Sequence, residues 1–250
     1  MTSSKVFKRI FEKDVVYLYQ FPALKTCRNL SPFSLKLETI FRVYNIPHEI
    51  IYTATKKPNN GGALPFIELN GQQIVDPDLI EMRVRKHFNV PQLSTEQEAQ
   101  SVAISRMADN HLVYVLIRYK GAVPEFYSTI LSMISLPGFI RPIFLFFMSR
   151  FLGYRIRLIS KTAIGDFNEQ ELDEILHRDL KAIENLLADD KKFLFGDKVT
   201  CADATVFGQL ASLYYPFDNH LRRVVDREFP RLRLYMEDVV KQVYPNDFTV

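Results

Sequence analysis

The chain has 250 residues, 47% hydrophobic and 24% charged, an ordinary globular composition with enough apolar material for a sizeable core. Its formal net charge of +3 is spread without a block of like charges, which argues against nucleic acid as a partner. Two cysteines, Cys27 and Cys201, exclude a disulfide framework and favour a reducing compartment, and five histidines without HxxxH spacing leave no expected metal site.

Residues 1–13 alternate basic and apolar side chains, Lys5, Lys8 and Arg9 with Val6, Phe7, Ile10 and Phe11, and lack the apolar core of a secretory signal. They are expected to form an N-terminal tail or short lead-in helix, with weak contact to a membrane surface as the alternative. Residues 15–21 are β-branched and aromatic and read as a strand. After a ten-residue connection, Ser31-Pro32 supplies a cap and a first-turn proline for a helix. Phe33, Leu37, Ile40, Phe41 and Tyr44 stripe it, and Asn45-Ile46-Pro47 ends it. Residues 48–52 read as a second strand and 53–62 as loop, with at most a poor short helix. Asn70-Gly71, between the apolar runs 64–69 and 72–75, predicts a hairpin because both turn positions need positive φ. Asp76 then caps a helix that has Pro77 at its first position. Strand, helix, strand, hairpin and helix over residues 14–90 make a mixed sheet of thioredoxin pattern.

Residues 91–250 read as all-helical. Ser94 with Gln97, or Thr95 with Glu98, opens a long helix reaching about Tyr119. Residues 126–140 carry no charge but include Pro137 and Gly138, and residues 143–148 are again apolar. A spanning helix needs ~20 mostly apolar residues, so a broken, buried helical region is expected here. Contact with a bilayer through Phe144, Phe146 and Phe147 is the alternative. Leu172, Ile175, Leu176, Ile183, Leu186 and Leu187 stripe a helix over 169–188, and Thr200 with Asp203 is a further capping box. A last amphipathic helix fits 230–243.

Three features together resemble the glutathione transferase superfamily: Ser31-Pro32-Phe33-Ser34 at a helix start, Leu64-Pro65 opening the hairpin, and Gly196-Asp197 leading into Thr200-Cys201-Ala202-Asp203. The phrases Leu64-Pro65-Phe66-Ile67-Glu68-Leu69-Asn70-Gly71 and Asp203-Ala204-Thr205-Val206-Phe207-Gly208 resemble its failed-axon-connections and metaxin-related branch. Lys192-Phe193-Leu194-Phe195-Gly196 and the tail from Tyr244 resemble the nematode cadmium-responsive proteins within it. The resemblance implies a thioredoxin-like domain followed by an all-helical transferase domain, with a cis Pro65 whose preceding residue presents its backbone to glutathione. It implies detoxification and a cadmium or xenobiotic stress response, small electrophiles as second substrates, and a two-fold homodimer. The implied compartment is the cytoplasm or, peripherally, the lysosomal or mitochondrial outer membrane.

On this reading Ser31 is the catalytic candidate, donating a hydrogen bond that stabilises a glutathione thiolate at the positive end of a helix. The same serine also satisfies a helix cap, and Ser34 follows one turn on. Cys27 is a candidate substitute thiol. Leu64, Pro65 and Asp76 are the expected glutathione contacts, with Lys56 or Lys57 on its glycine carboxylate. Tyr114 and Arg118, at helical spacing with His111, border the second-substrate site. Asp76-Pro77 departs from the family's acidic residue and serine: proline has neither hydroxyl nor N–H for the γ-glutamyl carboxylate. Serine-activated glutathione conjugation is the expected function. The alternative is a binding or adaptor protein that kept the fold without the chemistry, docking at a membrane through residues 126–151.

Overall fold

The computed structural model describes residues 6–59, 61–134, 136–187 and 191–249. The start of the expected tail, with Lys5, and the expected helix end at Ala188 lie outside them. Strand β1 (Val16–Gln20) runs parallel to β2 (His48–Tyr52) and antiparallel to β3 (Phe66–Leu69), which pairs with β4 (Gln72–Val75) in the order β2-β1-β3-β4. Asn70 and Gly71 turn the hairpin with φ of 49° and 76°, as the Asn-Gly pair predicts. Strand alternation then divides the side chains. Val16, Leu18, Ile67 and Ile74 pack on helices α1 (Pro32–Val43) and α2 (Pro77–His87), while Tyr17, Tyr19 and Phe66 face the other way.

That second face has no helix from the described residues of the 53–62 connection. The N-terminal segment covers it instead. Phe7 packs 5.8 Å from the Tyr19 ring and 6.1 Å from Phe66, and the backbone N–H groups of Phe7 and Lys8 donate to the buried Glu68 carboxylate at 2.8 and 2.9 Å. The expected free tail or lead-in helix is therefore corrected. A buried carboxylate needs donors, and the backbone of residues 7 and 8 supplies two.

The remaining chain is helical: α3 (Thr95–Met107), a π-helical turn (Ala108–Leu112), α4 (Val113–Gly121), α5 (Pro124–Ser132), α6 (Arg141–Ile164), α7 (Glu169–Leu186), α8 (Cys201–Tyr214), α9 (His220–Glu228) and α10 (Pro230–Val243). The long helix from Ser94 is thus one rod with a π turn inside it. The region 126–151 is helical and broken, as expected, and Phe126, Tyr127 and Leu131 of α5 are buried, but the outer side of α6 is not: Phe147 and Phe151 are 65% and 66% exposed. Its inner face already packs on α4 and α5, so the outer apolar side chains have no further layer to enter.

Helix α8 is buried along its whole length and forms the centre of the molecule. Asp203 locks its start, accepting from Leu194 N at 2.9 Å and from the Thr200 backbone and hydroxyl at 2.8 and 2.6 Å. Cys201 and Ala204 reach into the core of the sheet domain. One turn further, Gly208 lies against α1 so closely that a β-carbon there would sit 2.6 Å from the Pro32 carbonyl oxygen and 3.0 Å from the Lys36 nitrogen. Both obstacles are backbone and cannot rotate away. Gly208→Val is expected to lower stability by about 3 kcal/mol or more in urea denaturation, whereas Gly138→Val, where a β-carbon meets nothing within 4 Å, should stay within about 0.5 kcal/mol. Equal midpoints for the two variants would show that the two helices do not depend on this contact.

Candidate functional site

A cavity of about 420 Å³ opens where the sheet domain meets the α3–α4 rod. Helix α1 contributes Phe33, the hairpin start contributes Leu64 and Pro65, and the β4–α2 corner contributes Asp76, Pro77 and Asp78. The π turn adds Asp109 and Asn110, and α4 adds Tyr114. The Leu64-Pro65 bond is cis, as the resemblance implies. Asp76 holds a φ of 75°, unusual for a residue with a side chain, and its carboxylate accepts from Asp78 N and Leu79 N at 3.0 and 3.1 Å.

Beneath this corner lies a buried ionic cluster. The Lys36 ammonium, almost inaccessible, sits 2.9 Å from Asp78, 3.1 Å from Glu81 and 2.7 Å from Asp109. Arg106 also binds Asp78, and Gln209 donates to Asp109 at 2.8 Å. Burial works against the Asp78 charge, but Lys36 and Arg106 outweigh it and hold this carboxyl below its usual range. Asp109 is buried more deeply, and burial pushes its carboxyl up despite Lys36. Together with Asp76, four carboxylates stand here with Lys36, Arg106 and Arg85, the last 3.8 Å from Glu81, and among the described residues no Lys or Arg lines the cavity itself.

The structure separates the residues that the sequence brings under suspicion. Leu64, Pro65, Asp76 and Tyr114 line the cavity; Ser31, Ser34, Lys56, Lys57 and Arg118 do not. Helix α1 reaches the cavity through Phe33, two residues beyond Ser31. Ser31 Oγ accepts from Ser34 N at 3.4 Å, and Ser31 N donates to Asn29 Oδ1 at 2.9 Å, both within the cap and its approach. Ser34 is fully buried, and its hydroxyl has no partner among the described residues. Lys56 lies over the rings of Phe7 and Tyr19, at 5.2 and 5.3 Å, so the N-terminal segment engages it. Cys27 is buried in the helical core, donates to Asn29 O at 3.3 Å, and has its thiol pushed up to about 12 by burial. It carries no thiolate at neutral pH and cannot replace Ser31.

The trio on the α3–α4 rod splits in the same way. His111 pairs with Asp179 at 2.8 Å, Tyr114 enters the cavity, and Arg118 lines a different one. Sequence reasoning missed Asp78, Asp109, Asn110 and Lys36. The one available signal was Lys36 itself, a charge beside the apolar stripe of α1 that its register carries inward. Among the described residues, no cluster of three or more His, Cys, Asp or Glu is placed to hold a metal ion.

Known proteins are similar to this chain in sequence and fold. Residues 32–126 match the family model of the glutathione S-transferase N-terminal domain, and residues 176–239 match that of the C-terminal domain, together more than half of the chain. Failed axon connections of Drosophila melanogaster is 32% identical over 223 residues, covering 84% of this chain and 53% of its own, so this chain spans about half the length of that relative. Isoprene-epoxide–glutathione S-transferase of Rhodococcus sp. (strain AD45) is 25% identical over 186 residues, covering 72% of this chain and 78% of its own. A glutathione S-transferase of Ceriporiopsis subvermispora, solved in complex with glutathione, superposes with a TM-score of 0.63 at 18% identity, covering 93% and 99% of the two chains.

The connection that carries Ser31 is pinned from below by Lys120, which is fully buried and donates to Leu30 O at 3.1 Å and Ser212 Oγ at 3.0 Å. Burial lowers its pKa from 10.5 to about 8. The folded chain therefore holds this proton less tightly than the unfolded chain, so the penalty is complete below pH 8 and relaxes as pH rises toward 10.5. The stability difference between wild type and Lys120→Met should accordingly shift in favour of wild type from pH 7 to pH 10, by up to about 3 kcal/mol. Urea midpoints across that range check it, and a pH-independent difference would mean that Lys120 titrates as a solvated lysine.

Proposed function

This chain belongs to the glutathione S-transferase superfamily, and from that membership we propose that its cleft binds a γ-glutamyl thiol peptide of the glutathione class as a ligand, without serine-activated conjugation. One observation carries the reading: among the described residues, the cavity beside cis Leu64-Pro65 is lined by Asp76, Asp78 and Asp109, by no Lys or Arg, and not by Ser31.

Glutathione has one ammonium and two carboxylates at neutral pH. Asp76 suits the ammonium, being exposed at the cavity mouth and already oriented by two backbone N–H groups. Donors for the carboxylates are scarce. Pro77 has no N–H, the N–H groups of Asp78 and Leu79 are committed to Asp76, and what remains is the side chains of Asn110 and Tyr114 with the backbone of residues 62–64. An amine-end grip without a carboxylate grip fits millimolar affinity, about 4 kcal/mol of binding. Conjugation also needs a hydroxyl within hydrogen-bond reach of the sulfur; the Ser31 Oγ accepts from Ser34 N at 3.4 Å, which leaves its O–H free to donate, but Ser31 lies outside the residues that line the cavity. The chain is then a ligand-binding member of a catalytic fold. A part in cadmium or xenobiotic stress would act through the thiol ligand it holds.

Titration calorimetry with glutathione should give saturable heat only in the millimolar range, and Asp76→Asn should remove it. Conjugation of 1-chloro-2,4-dinitrobenzene should not exceed the uncatalysed rate, with Ser31→Ala unchanged. Measurable turnover that Ser31→Ala cuts by about ten-fold or more would restore the serine as catalyst.

A further inference from the structure

Helix α6 lies wholly within residues 127–175, the stretch that neither domain model matches. It is apolar on two sides. Leu145, Leu152 and Ile156 pack inward on the helical core. Ile143, Phe147, Phe151, Tyr154 and Leu158 recur at three- and four-residue spacing along the outer side, each at least 45% exposed. Contiguous aromatic surface of this kind marks a contact face.

The charges of α6 are one-sided. The helix contains no Asp or Glu. At 100° per residue, Arg150 and Arg157 flank the outer apolar stripe on one side and Arg155 flanks it on the other. Arg150 and Arg157 also line a cavity of about 680 Å³ between α4, α6, α7 and α9, which Arg118 of α4 enters. Among the described residues none of Arg118, Arg150, Arg155 and Arg157 has an ion-pair partner; Arg150 lies 4.7 Å from the Phe146 ring centroid. Two carboxylates, Glu169 and Asp173, share the cavity, and Asp173 is engaged by His220 at 2.5 Å and His177 at 3.5 Å. The placement is rigid. Gly121 and Gly153 let α4 and α6 approach, with the Tyr127 hydroxyl donating to Gly121 O at 2.6 Å between them.

We propose that the outer face of α6 lies in the interfacial plane of a bilayer, and that the adjoining arginine cavity takes the phosphate of an anionic phospholipid. This goes beyond the thiol-peptide cleft and does not depend on it. Charge decides between occupants. A second copy meeting this face would bring two arginine rows together with no acid on either helix, whereas an anionic bilayer offers negative charge at the level of the arginines and hydrocarbon at the level of the rings. No helix among the described residues is long and apolar enough to cross a membrane, so the contact is in-plane.

Vesicle co-sedimentation of the full chain tests it, with phosphatidylcholine vesicles containing about one-third phosphatidylserine set against phosphatidylcholine alone at physiological salt. Partition into the anionic vesicles should be about ten-fold greater or more, and it should survive millimolar inorganic phosphate. Arg150→Glu with Arg157→Glu should reduce it to the neutral-vesicle level. Phe147→Ser with Phe151→Ser should also abolish it, both variants melting as the wild type does because these side chains are exposed. Equal partition into neutral vesicles, or an arginine variant that sediments like wild type, overturns the proposal. So does displacement by inorganic phosphate, which would mark a soluble-anion pocket. A dimer by light scattering that the phenylalanine variant dissolves, without vesicle binding, would assign the face to a second copy.

Discussion

The contact between the first turn of α1 and the middle of α8 positions everything else. A helix axis normally stands 8–10 Å from its neighbour, held off by side chains. At Gly208 there is none, and the Pro32 carbonyl and the Lys36 backbone occupy the space that a β-carbon would need. The consequence reaches the cleft directly. Pulling α1 against α8 buries Lys36 beside Asp109 of the π turn and Gln209 of α8, which places the sheet-domain corner against the α3–α4 rod. Thr39 with Tyr244, at 2.8 Å, and the Arg42–Asp247 pair, at 2.6 Å, fasten the other end of α1 to the C-terminal segment. The cavity is a product of domain packing, not of either domain alone.

The electrostatics of the cavity follow from that packing. An isolated lysine at the depth of Lys36 would lose its charge, and three carboxylates around it prevent this. The price is a cleft floor already committed to internal ion pairs and surplus in negative charge. Among the described residues, Asp76 alone of these acids has no cation partner while facing the opening. The family frame is therefore intact while the polarity of the cavity is set by residues on α1, α2 and the π turn.

Much of the frame was legible because its signals are local. Ser31-Pro32, Asn70-Gly71, Asp76-Pro77 and Thr200 with Asp203 act over three or four residues, and each forms the cap or turn that its chemistry predicts. What escaped depends on partners far away in the chain. Glu68 captures Phe7 and Lys8 from sixty residues upstream, and nothing in the alternating tail announces it. Gly208 reads as a weak helix position until α1 is placed against it. The π turn has no composition of its own, yet it is what brings Asp109 and Asn110 to the cavity. The apolar run around Phe147 was visible, but hydrophobicity alone does not say whether a face finds a core, and here the inner side of α6 had filled the available layer.

The α3–α4 rod ties the two cavities together. Tyr114 lines the cavity beside cis Leu64-Pro65 and Arg118 the arginine cavity, one helical turn and about 6 Å of rise apart. Between them the rod is anchored inward by Val115 and Leu116, both buried, and α6 fixes it from outside when the Ser160 hydroxyl donates to Tyr114 O at 3.2 Å. That bond holds the carbonyl of the residue that enters the cleft, and it comes from the helix that carries the exposed aromatic face. Helix α6, in the stretch between the two matched domains, is thus bonded to an element that also lines the cavity. The helix and the wall of the cavity are joined by one hydrogen bond and a packed rod, with no loop in between.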